Sequence, residues 1–275
     1  MNVSIHDAFN LGWKLASVIR GHSSPRILHT YSAERREVAG ELIAFDRRLA
    51  QLFSAPAGAR SKETGPTELQ EYMLMHDRYV SGTMSQYGPS IITAAPTHQH
   101  LARGFETGKR FHSAPVVRLA DARPVHLGHV IEADGRWRLF AFAGREDPAD
   151  RSSGIQKLAG FLNNSPDSPV RKYTPAGQDV DAVIEVLAIF QQDYRELEIE
   201  TLPALLWPAK GVYGLRDYEK MYCPDLENAE DIFDTRGIDR DGGCLVVVRP
   251  DQHVAHVLPL DGFTELAAFF DGFML

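Results

Sequence analysis

Cysteine is scarce in this sequence: only Cys223 and Cys244 occur in 275 residues, and they form no C-x-x-C pair. Disulfide-stabilised secreted domains carry many more cysteines, so the count favours a reducing compartment, and we predict a cytoplasmic protein. No apolar run reaches the roughly 20 residues that a membrane-spanning helix needs. The N-terminus is no signal peptide either, because His6, Asp7 and Lys14 interrupt its apolar residues. We therefore predict no membrane partner.

Basic residues are outnumbered in this chain. The 29 Lys and Arg against 37 Asp and Glu give a formal net charge of −8. A protein that binds nucleic acid without sequence preference needs clustered cations to displace counterions from the phosphates. We therefore predict no nucleic-acid partner. The 44% hydrophobic and 24% charged residues are typical of a folded globular protein, so neither disorder nor a rod is indicated.

The chain opens on MNVSIHDAFNLGWKLASVIRG, which has the pattern of one complete helix. Ser4 and Asp7 have the spacing of a capping box, and Gly21 can adopt the left-handed conformation that ends a helix. Apolar residues between them recur at intervals of three and four and predict one apolar stripe. The stripe consists of Ile5, Ala8, Phe9, Gly12, Ala16 and Ile19, with Trp13 beside it. We predict a helix that begins near Ser4 and ends just before Gly21.

A second, longer helix is predicted after Ser24, the expected cap, which precedes a proline suited to the first helical position. Its apolar period is interrupted at Arg35. Arg35 and Arg36 could face a phosphate, but we interpret them as a solvated helix face that pairs locally with Glu34 and Glu37. An exposed loop, SAPAGARSKETGP, and a shorter helix, TELQEYMLMHDRYVSG, are predicted to follow.

The period changes from helical to alternating between Gly82 and Gly108, so we place a domain boundary there, with domains at 1–95 and 96–275. The second half is predicted to contain the strand RWRLFAFAG after a hairpin turn at Gly135, the helix ADRSSGIQKLAGFLNN, the strand DAVIEVLAIF, the two strands of CLVVVRPDQHVAHVLPL, and the helix DGFTELAAFFDGFM capped by Asp261. The order β-α-β, then β-β-α, is the thioredoxin arrangement. We predict an α/β chain: an N-terminal helical segment followed by a thioredoxin-like domain that buries its own core and stays folded without residues 1–82.

Candidate chemical residues are few. A thioredoxin-like domain carries its reactive thiol where the first strand turns into the first helix, but that turn, AGREDPADRSSG, has no cysteine, so we predict no redox activity. We interpret both cysteines as buried packing residues. The histidines have no carboxylate or cysteine beside them at a zinc-ligand spacing, so no metal site is predicted. They are His98, His100, His126 and His129. Asp134 and Asp251 fall in turns, where Asp bonds the backbone, and we assign them no catalytic role.

Three stretches carry a resemblance to a known family. MNVSIHDAFNLGWKLASVIRG resembles the segment after the Gly-Gln-Gly of FAD-dependent aromatic monooxygenases, and PVHLGHVIEADGRWRLFAFAG and VVVRPDQHVAHV resemble their phenol 2-monooxygenase branch. The resemblance spans nearly the whole chain. It implies a flavin domain, a substrate domain and a C-terminal thioredoxin-like domain that contributes to a homodimer. It also implies FAD, NAD(P)H and a phenolic substrate.

The resemblance places Met1 and Asn2 at the positions that lie against the flavin pyrimidine edge, at a helix N-terminus. Backbone N–H groups and the helix dipole favour negative charge there. The family's Gly-x-Gly-x-x-Gly turn for the FAD pyrophosphate is missing from this sequence. We therefore expect a truncated form of an aromatic hydroxylase, with a helical remnant of the flavin domain at 1–95 and no catalytic residue of its own.

Two functions remain open from the sequence. The chain is part of an FAD- and NAD(P)H-dependent hydroxylase of phenolic rings, or it is a non-catalytic interaction module that docks on such an enzyme or on itself. In either case we expect the apolar stripe of the first helix to cause self-association, because a contiguous exposed apolar patch commonly marks an interface.

Overall fold

The computed structural model of the chain describes residues 2–54, 68–75, 85–228 and 231–275. The helices are α1 Asn2–Ile19, α2 Leu28–Ser54, α3 Glu68–Met75, α4 Gly154–Asn164, α5 Pro169–Tyr173, α6 Ile232–Thr235 and α7 Phe263–Asp271. The strands are β1 Pro115–Arg118, β2 Arg123–His126, β3 Trp137–Phe142, β4 Ile184–Ile189, β5 Ala209–Lys210, β6 Leu215–Arg216, β7 Met221–Pro224, β8 Cys244–Val248 and β9 Val254–Leu258. Met1, nearly all of the predicted loop and the end of the predicted third helix lie outside the described residues.

One mixed sheet organises the second half, in the spatial order β2-β1-β7-β4-β3-β8-β9. Strands β3 and β4 are parallel and are connected through α4 and α5, whereas β3 and β8, and β8 and β9, are antiparallel. These four strands are buried along their whole length, which is why they read as nearly continuous apolar runs. With α4 and α7 they form the predicted thioredoxin arrangement, and the α/β class is confirmed.

Two local predictions in this half are wrong, and three short strands were not predicted. The strand β3 pairs with β4 and β8 and is not the second arm of a hairpin; the turn at Gly135 follows a 3-10 helix. Helix α7 is capped by Gly262 without a side-chain hydrogen bond, so Asp261 is not its cap. The strands β1, β2 and β7 were not predicted, because strands of four residues are too short to show a period.

Helix α1 ends as predicted and begins earlier than predicted. It ends at Ile19, and Gly21 follows with a φ of 74°, which a residue with a Cβ rarely adopts. It begins at Asn2, and Asp7 accepts a hydrogen bond from Arg35 Nε. The predicted capping box is therefore wrong, since Asp7 joins α1 to α2.

Helix α1 buries polar side chains on one side and exposes apolar side chains on the other, unlike an ordinary amphipathic helix. Ile5 is 58% exposed and Ile19 is 83% exposed, whereas Lys14 is 0% and Asn10 is 2% exposed. Trp13 is 7% exposed and belongs to the buried side, so its expected place beside the exposed stripe is wrong. A helix that buries its polar residues needs charged partners for them on the elements it packs against.

The N-terminal helices share a core with the sheet. The rings of Trp13 and Trp137 lie edge to face with their centroids 5.7 Å apart, and Ile27 is completely buried in the same cluster. The backbone N–H of Ser24 donates to the carbonyl of Phe273, 2.8 Å away. The boundary at residues 95 and 96 remains a prediction, but these contacts cross it. Within the described ranges, no helix is long and apolar enough to cross a membrane.

Candidate functional site

Four charged side chains meet where α1, α2 and the turn between β8 and β9 come together. Arg249 Nη1 lies 2.6 Å from Glu34 Oε1, and Arg249 Nη2 lies 2.6 Å from Asp251 Oδ2. Lys14 Nζ lies 2.7 Å from Glu34 Oε2. All four side chains are at least 96% buried. We call Lys14, Glu34, Arg249 and Asp251 the junction cluster, and its two cations balance its two anions.

Neutral side chains complete the hydrogen bonds of the junction cluster. Asn10 Nδ2 donates to Glu34 over 2.7 Å, and its Oδ1 accepts from Lys14 over 2.8 Å. Trp13 Nε1 donates to Asp251 Oδ2 over 3.0 Å. A buried ion pair is tolerated only when the lone pairs and protons that remain are satisfied in this way. Asn10, Trp13 and Lys14 thus tie one face of α1 to the last hairpin of the sheet.

The fields inside the junction cluster keep its carboxylates charged. Burial raises the pKa of Asp251 and of Glu34, but the neighbouring positive charges together outweigh this and hold both pKa values below the ordinary range. Arg249 acts on both carboxylates, His253 adds to it at Asp251 and Lys14 adds to it at Glu34. Burial and the neighbouring Arg249 lower the pKa of Lys14 to about 8. The carboxylates are therefore ionised at neutral pH and act as fixed acceptors, since neither can take up a proton there as a general base.

The sequence interpretation of Glu34 and Arg35 is wrong. Glu34 and Arg35 are 4% and 6% exposed, so they are not a solvated face of α2. Asp251 does lie in the predicted turn, but its side chain is buried with Arg249 and Trp13 instead of bonding only the local backbone. The sequence did contain one sign of this burial, because the apolar period of α2 is interrupted at Arg35. Arg35 is buried there and pairs with Asp7 of α1.

A second group of polar residues surrounds the first turns of α1. Arg35 Nη1 donates to the Tyr87 hydroxyl over 3.2 Å, and the Tyr87 ring stacks on His253 with centroids 4.4 Å apart. Burial lowers the pKa of His6, and the positive charges of Arg110 and Arg35 lower it further. Arg35 is also paired with Asp7, so part of its charge is compensated. The first turn of α1 has no acidic residue.

The two residues predicted to touch the flavin lie at this end of α1. Asn2 is the first residue of the helix, and Met1 lies outside the described residues. Their contact with FAD therefore stays a prediction. The observed setting fits the group: the N-terminus of an 18-residue helix without an acidic residue in its first turn favours the negative charge of a flavin ring.

The turn that carries the thiols in redox-active thioredoxins has a carboxylate and a serine hydroxyl in this chain, and both accept hydrogen bonds from the start of α4. The Gly154 N–H at the start of α4 donates to Glu146 Oε2 over 2.7 Å, and Ser153 is the helix cap. Both cysteines are 0% exposed, and burial raises the pKa of Cys223 to about 12. Burial raises the pKa of the Cys244 thiol as well. The positive helix end is thus neutralised by a carboxylate, and the thiols are far from their reactive form.

We therefore expect the native chain to leave insulin disulfides unreduced and to react with a thiol reagent only after unfolding. The double change Cys223→Ser and Cys244→Ser should cost about 1–3 kcal/mol per site, because each buried hydroxyl needs a partner that a thiol does not. Insulin turbidity, thiol titration and urea unfolding measure these effects. Insulin reduction that disappears in the double variant would contradict the prediction.

The histidines pair with carboxylates or with each other. His98 Nε2 and His256 Nε2 contact different oxygens of Glu265, at 3.0 and 3.1 Å. The rings of His126 and His129 have centroids 5.4 Å apart. In the part of the chain that the structure describes, no group of three His, Cys, Asp or Glu residues could hold a metal ion.

The junction cluster should make the chain sensitive to acid. The pKa values of Glu34 and Asp251 are lower in the folded chain than in the unfolded chain, so the unfolded chain takes up protons first as the pH falls. The free energy of unfolding is then expected to fall from about pH 5 downward. Urea unfolding of the wild type and of Asp251→Asn between about pH 7 and pH 4 tests this. The variant should show the shallower dependence, and equal slopes would contradict the assignment.

Two segments of the chain match two known protein families. Residues 85–275 match "Phenol hydroxylase, C-terminal dimerisation domain", and residues 1–46 match "FAD binding domain". The chain is 54% identical over 280 residues to 3-hydroxybenzoate 4-monooxygenase of Comamonas testosteroni, covering 100% of this chain and 43% of that protein. It is 30% identical to phenol 2-monooxygenase fsqG of Aspergillus fumigatus, covering 99% of this chain and 44% of that protein.

A solved structure shows the same fold. The crystal structure of the flavin-dependent monooxygenase PieE, in complex with FAD and substrate, aligns with a TM-score of 0.53 at 16% identity, over 98% of this chain and 44% of that one. The chain thus spans less than half the length of the relatives described. Fold and matches define the C-terminal portion of an FAD-dependent aromatic monooxygenase. The chain belongs to the phenol hydroxylase family through its C-terminal dimerisation domain.

Proposed function

We propose that this chain is the C-terminal part of an FAD-dependent monooxygenase that hydroxylates a phenolic substrate with NAD(P)H and O2, and that it works as a homodimer in the cytoplasm. The observation that carries the proposal is the junction cluster. It joins α1 and α2, which lie in the part that matches an FAD binding domain, to the β8–β9 turn of the part that matches a dimerisation domain. These contacts fix the position of α1 relative to the sheet.

The role of the chain's own residues follows from these contacts. The chemistry that bound FAD would supply is the acceptance of a hydride from NAD(P)H and the activation of O2. Met1 and Asn2, at the positive end of α1, would bind the pyrimidine edge of the flavin and stabilise its negative charge. Lys14 and Trp13, a little more than three turns further along α1, fix the rotation of the helix through Glu34 and Asp251. Positioning of this kind matters because small displacements of a catalytic group reduce rates strongly.

A hydroxybenzoate is the substrate class that we propose. The support is the relative named 3-hydroxybenzoate 4-monooxygenase, whose similarity extends over all of this chain at 54% identity. The phenol 2-monooxygenase relative, at 30% identity, supports the broader class of phenolic rings.

A chimera tests the proposal. In 3-hydroxybenzoate 4-monooxygenase of Comamonas testosteroni, the aligned segment is replaced by this chain. The chimera is expected to purify with bound FAD and to oxidise NAD(P)H in a manner that depends on 3-hydroxybenzoate, with formation of a hydroxylated product. The matched control is the same chimera with Glu34→Gln, which should lose most of its bound FAD or its coupling of NAD(P)H oxidation to product.

The chain by itself is expected to purify without colour and to show no NAD(P)H oxidation with phenol or hydroxybenzoate. Two positions at one helix end cannot replace the pyrophosphate and adenosine contacts that give most of the dinucleotide affinity. A chimera that folds but neither retains FAD nor turns over substrate would contradict the proposal and favour the alternative of a non-catalytic interaction module. FAD bound in stoichiometric amount to the chain alone would contradict the expectation for the isolated chain.

A further inference from the structure

The hairpin of β5 and β6 presents apolar side chains to solvent. Within the described residues of 85–275, six large apolar side chains are exposed, and four of them lie between residues 212 and 218. These four are Val212, Tyr213, Leu215 and Tyr218, exposed by 94%, 87%, 70% and 39%. We call residues 209–216 the arm. Its strands form a two-stranded sheet apart from the main sheet.

The base of the arm is held rigidly although its tip is exposed. Lys210 Nζ lies 2.8 Å from Asp181 Oδ2, and the Gly211 N–H donates to Asp179 Oδ1 over 2.9 Å. Asp181 is itself buried and paired with Lys220 at 2.6 Å. The attractions of Lys210 and Lys220 outweigh the burial of Asp181 and lower its pKa to about 2. The arm is therefore preorganised, and little conformational entropy is lost when its tip is covered.

The turn at the tip holds Val212 and Tyr213 in place. Gly211 and Gly214 flank them with φ values of 65° and 61°, and the Gly214 N–H donates to the Gly211 carbonyl over 3.1 Å. Both glycines use the left-handed region that residues with a Cβ rarely adopt. The turn closes tightly and leaves the two large side chains outside it, where they contact solvent in place of the chain's own core.

A groove lies next to the tip on the same side of the molecule. It has a volume of about 570 Å³, and charged side chains line much of it. Its lining includes Arg136, Asp179, Asp181 and Lys210, together with Gln178 and the arm residue Val212. An isologous dimer requires that one patch be complementary to itself, so that residue i contacts j and j contacts i. Tyr213 has an apolar ring and a polar hydroxyl, and the groove offers both the apolar Val212 and charged side chains that can bind a hydroxyl, so each tip can enter the groove of the other copy.

We propose that the arm is a contact surface for a second copy of this chain, with Tyr213 of each copy seated in the groove of the other. The inference rests on the proposed homodimer and names its surface. The arm lies in the part that matches a dimerisation domain, whereas the exposed residues of α1 lie in the part that matches an FAD binding domain. The arm therefore replaces the stripe of α1, which the sequence suggested, as the proposed surface of self-association. Tyr213 alone offers on the order of 200 Å². Each tip thus supplies about a quarter of the roughly 800 Å² per partner that a stable interface buries.

Sedimentation equilibrium of the full chain tests this inference with three variants. The double change Val212→Ser and Tyr213→Ser is expected to raise the dimer Kd by roughly 30-fold or more, as loss of a central aromatic residue does at other interfaces. Gln178→Trp, which fills the groove and leaves the tip intact, should also raise it. The matched control, Ile5→Ser with Ile19→Ser, removes equally exposed apolar residues from α1 and should leave the Kd within about threefold. Circular dichroism and thermal unfolding should be unchanged in all three, since every altered residue is exposed.

The outcomes separate the arm from the homodimer itself. If the wild type is a dimer and the tip variant remains one, the arm is excluded while the homodimer stands. If the α1 variant alone dissociates, the stripe of α1 is the interface and the inference is overturned. If the tip variant dissociates and Gln178→Trp does not, the groove is excluded as the seat of Tyr213. A wild type that is monomeric at all concentrations overturns the homodimer and the arm together.

Discussion

Replacement of Glu34 by glutamine is expected to lower the free energy of unfolding by about 3–5 kcal/mol, the usual cost of removing one partner from a buried ion pair. Glu34 accepts from Lys14, Asn10 and Arg249, so the change leaves two buried cations to share the single anion Asp251. Urea unfolding of the full chain at neutral pH measures the effect. The loss would be a large fraction of the whole stability of an ordinary domain.

A matched control shows whether the effect comes from burial. Arg145 and Asp241 form an ion pair of 3.4 Å, but their side chains are 71% and 84% exposed. Asp241→Asn should change the free energy of unfolding by no more than about 0.5 kcal/mol. The double change Glu34→Gln and Lys14→Met removes the unpaired cation and should recover part of the loss. Equal effects of Glu34→Gln and Asp241→Asn would contradict the role given to the junction cluster.

Removal of residues 1–82 is expected to destabilise the remaining domain by more than about 5 kcal/mol. The deletion takes Trp13 and Ile27 out of the main core, and each large-to-small change of that kind costs about 2–5 kcal/mol. It also removes Glu34 from the buried Arg249. The structure thus changes the expectation from the sequence, which was a second domain that stays folded by itself.

Thermal unfolding of residues 83–275 beside the full chain measures the loss, and an apolar dye reports the surface that Trp13 covers. We expect a broad transition at lower temperature and increased dye binding. The hydrogen exchange of the β8–β9 turn should rise most, because Arg249 loses Glu34 and Asp251 loses Trp13 as a partner. Cooperative unfolding at the temperature of the full chain would show that residues 96–275 form an independent domain.

Much of the fold could be predicted from local pattern. The strands β3, β4, β8 and β9 are long apolar runs with turn residues between them, and their order along the chain admits few topologies. The end of α1 could be predicted from Gly21, which has a φ of 74°. The elements missed were short, and β7 pairs with β1 over three residues and with β4 over two, so their pairing depends on partners far away in the chain.

The candidate site could not be predicted in the same way, because its members are separated by up to 237 positions. Glu34 and Arg35 look like an exposed charged pair to any local rule, since charges on a long helix usually face solvent. Glu34 is buried against Arg249, which pairs with Asp251. The sequence around Arg249 and Asp251 predicted only a turn between two strands. Local pattern placed each residue on its element, and the contact between elements decided its environment.

The sequence by itself determined the secondary structure of the thioredoxin-like core, the absence of a redox cysteine at its first turn and the resemblance to aromatic monooxygenases, because each depends on residues close together in the chain. Only the tertiary structure decided which face of α1 is buried. Hydrophobic period identified the stripe of Ile5 and Ile19, which is exposed, but it gave no sign that Asn10, Trp13 and Lys14 are the buried residues of this helix. The physical reason is that a buried charge is stable only beside its counter-charge, and Glu34 reaches Lys14 only when α1, α2 and the last hairpin have packed together.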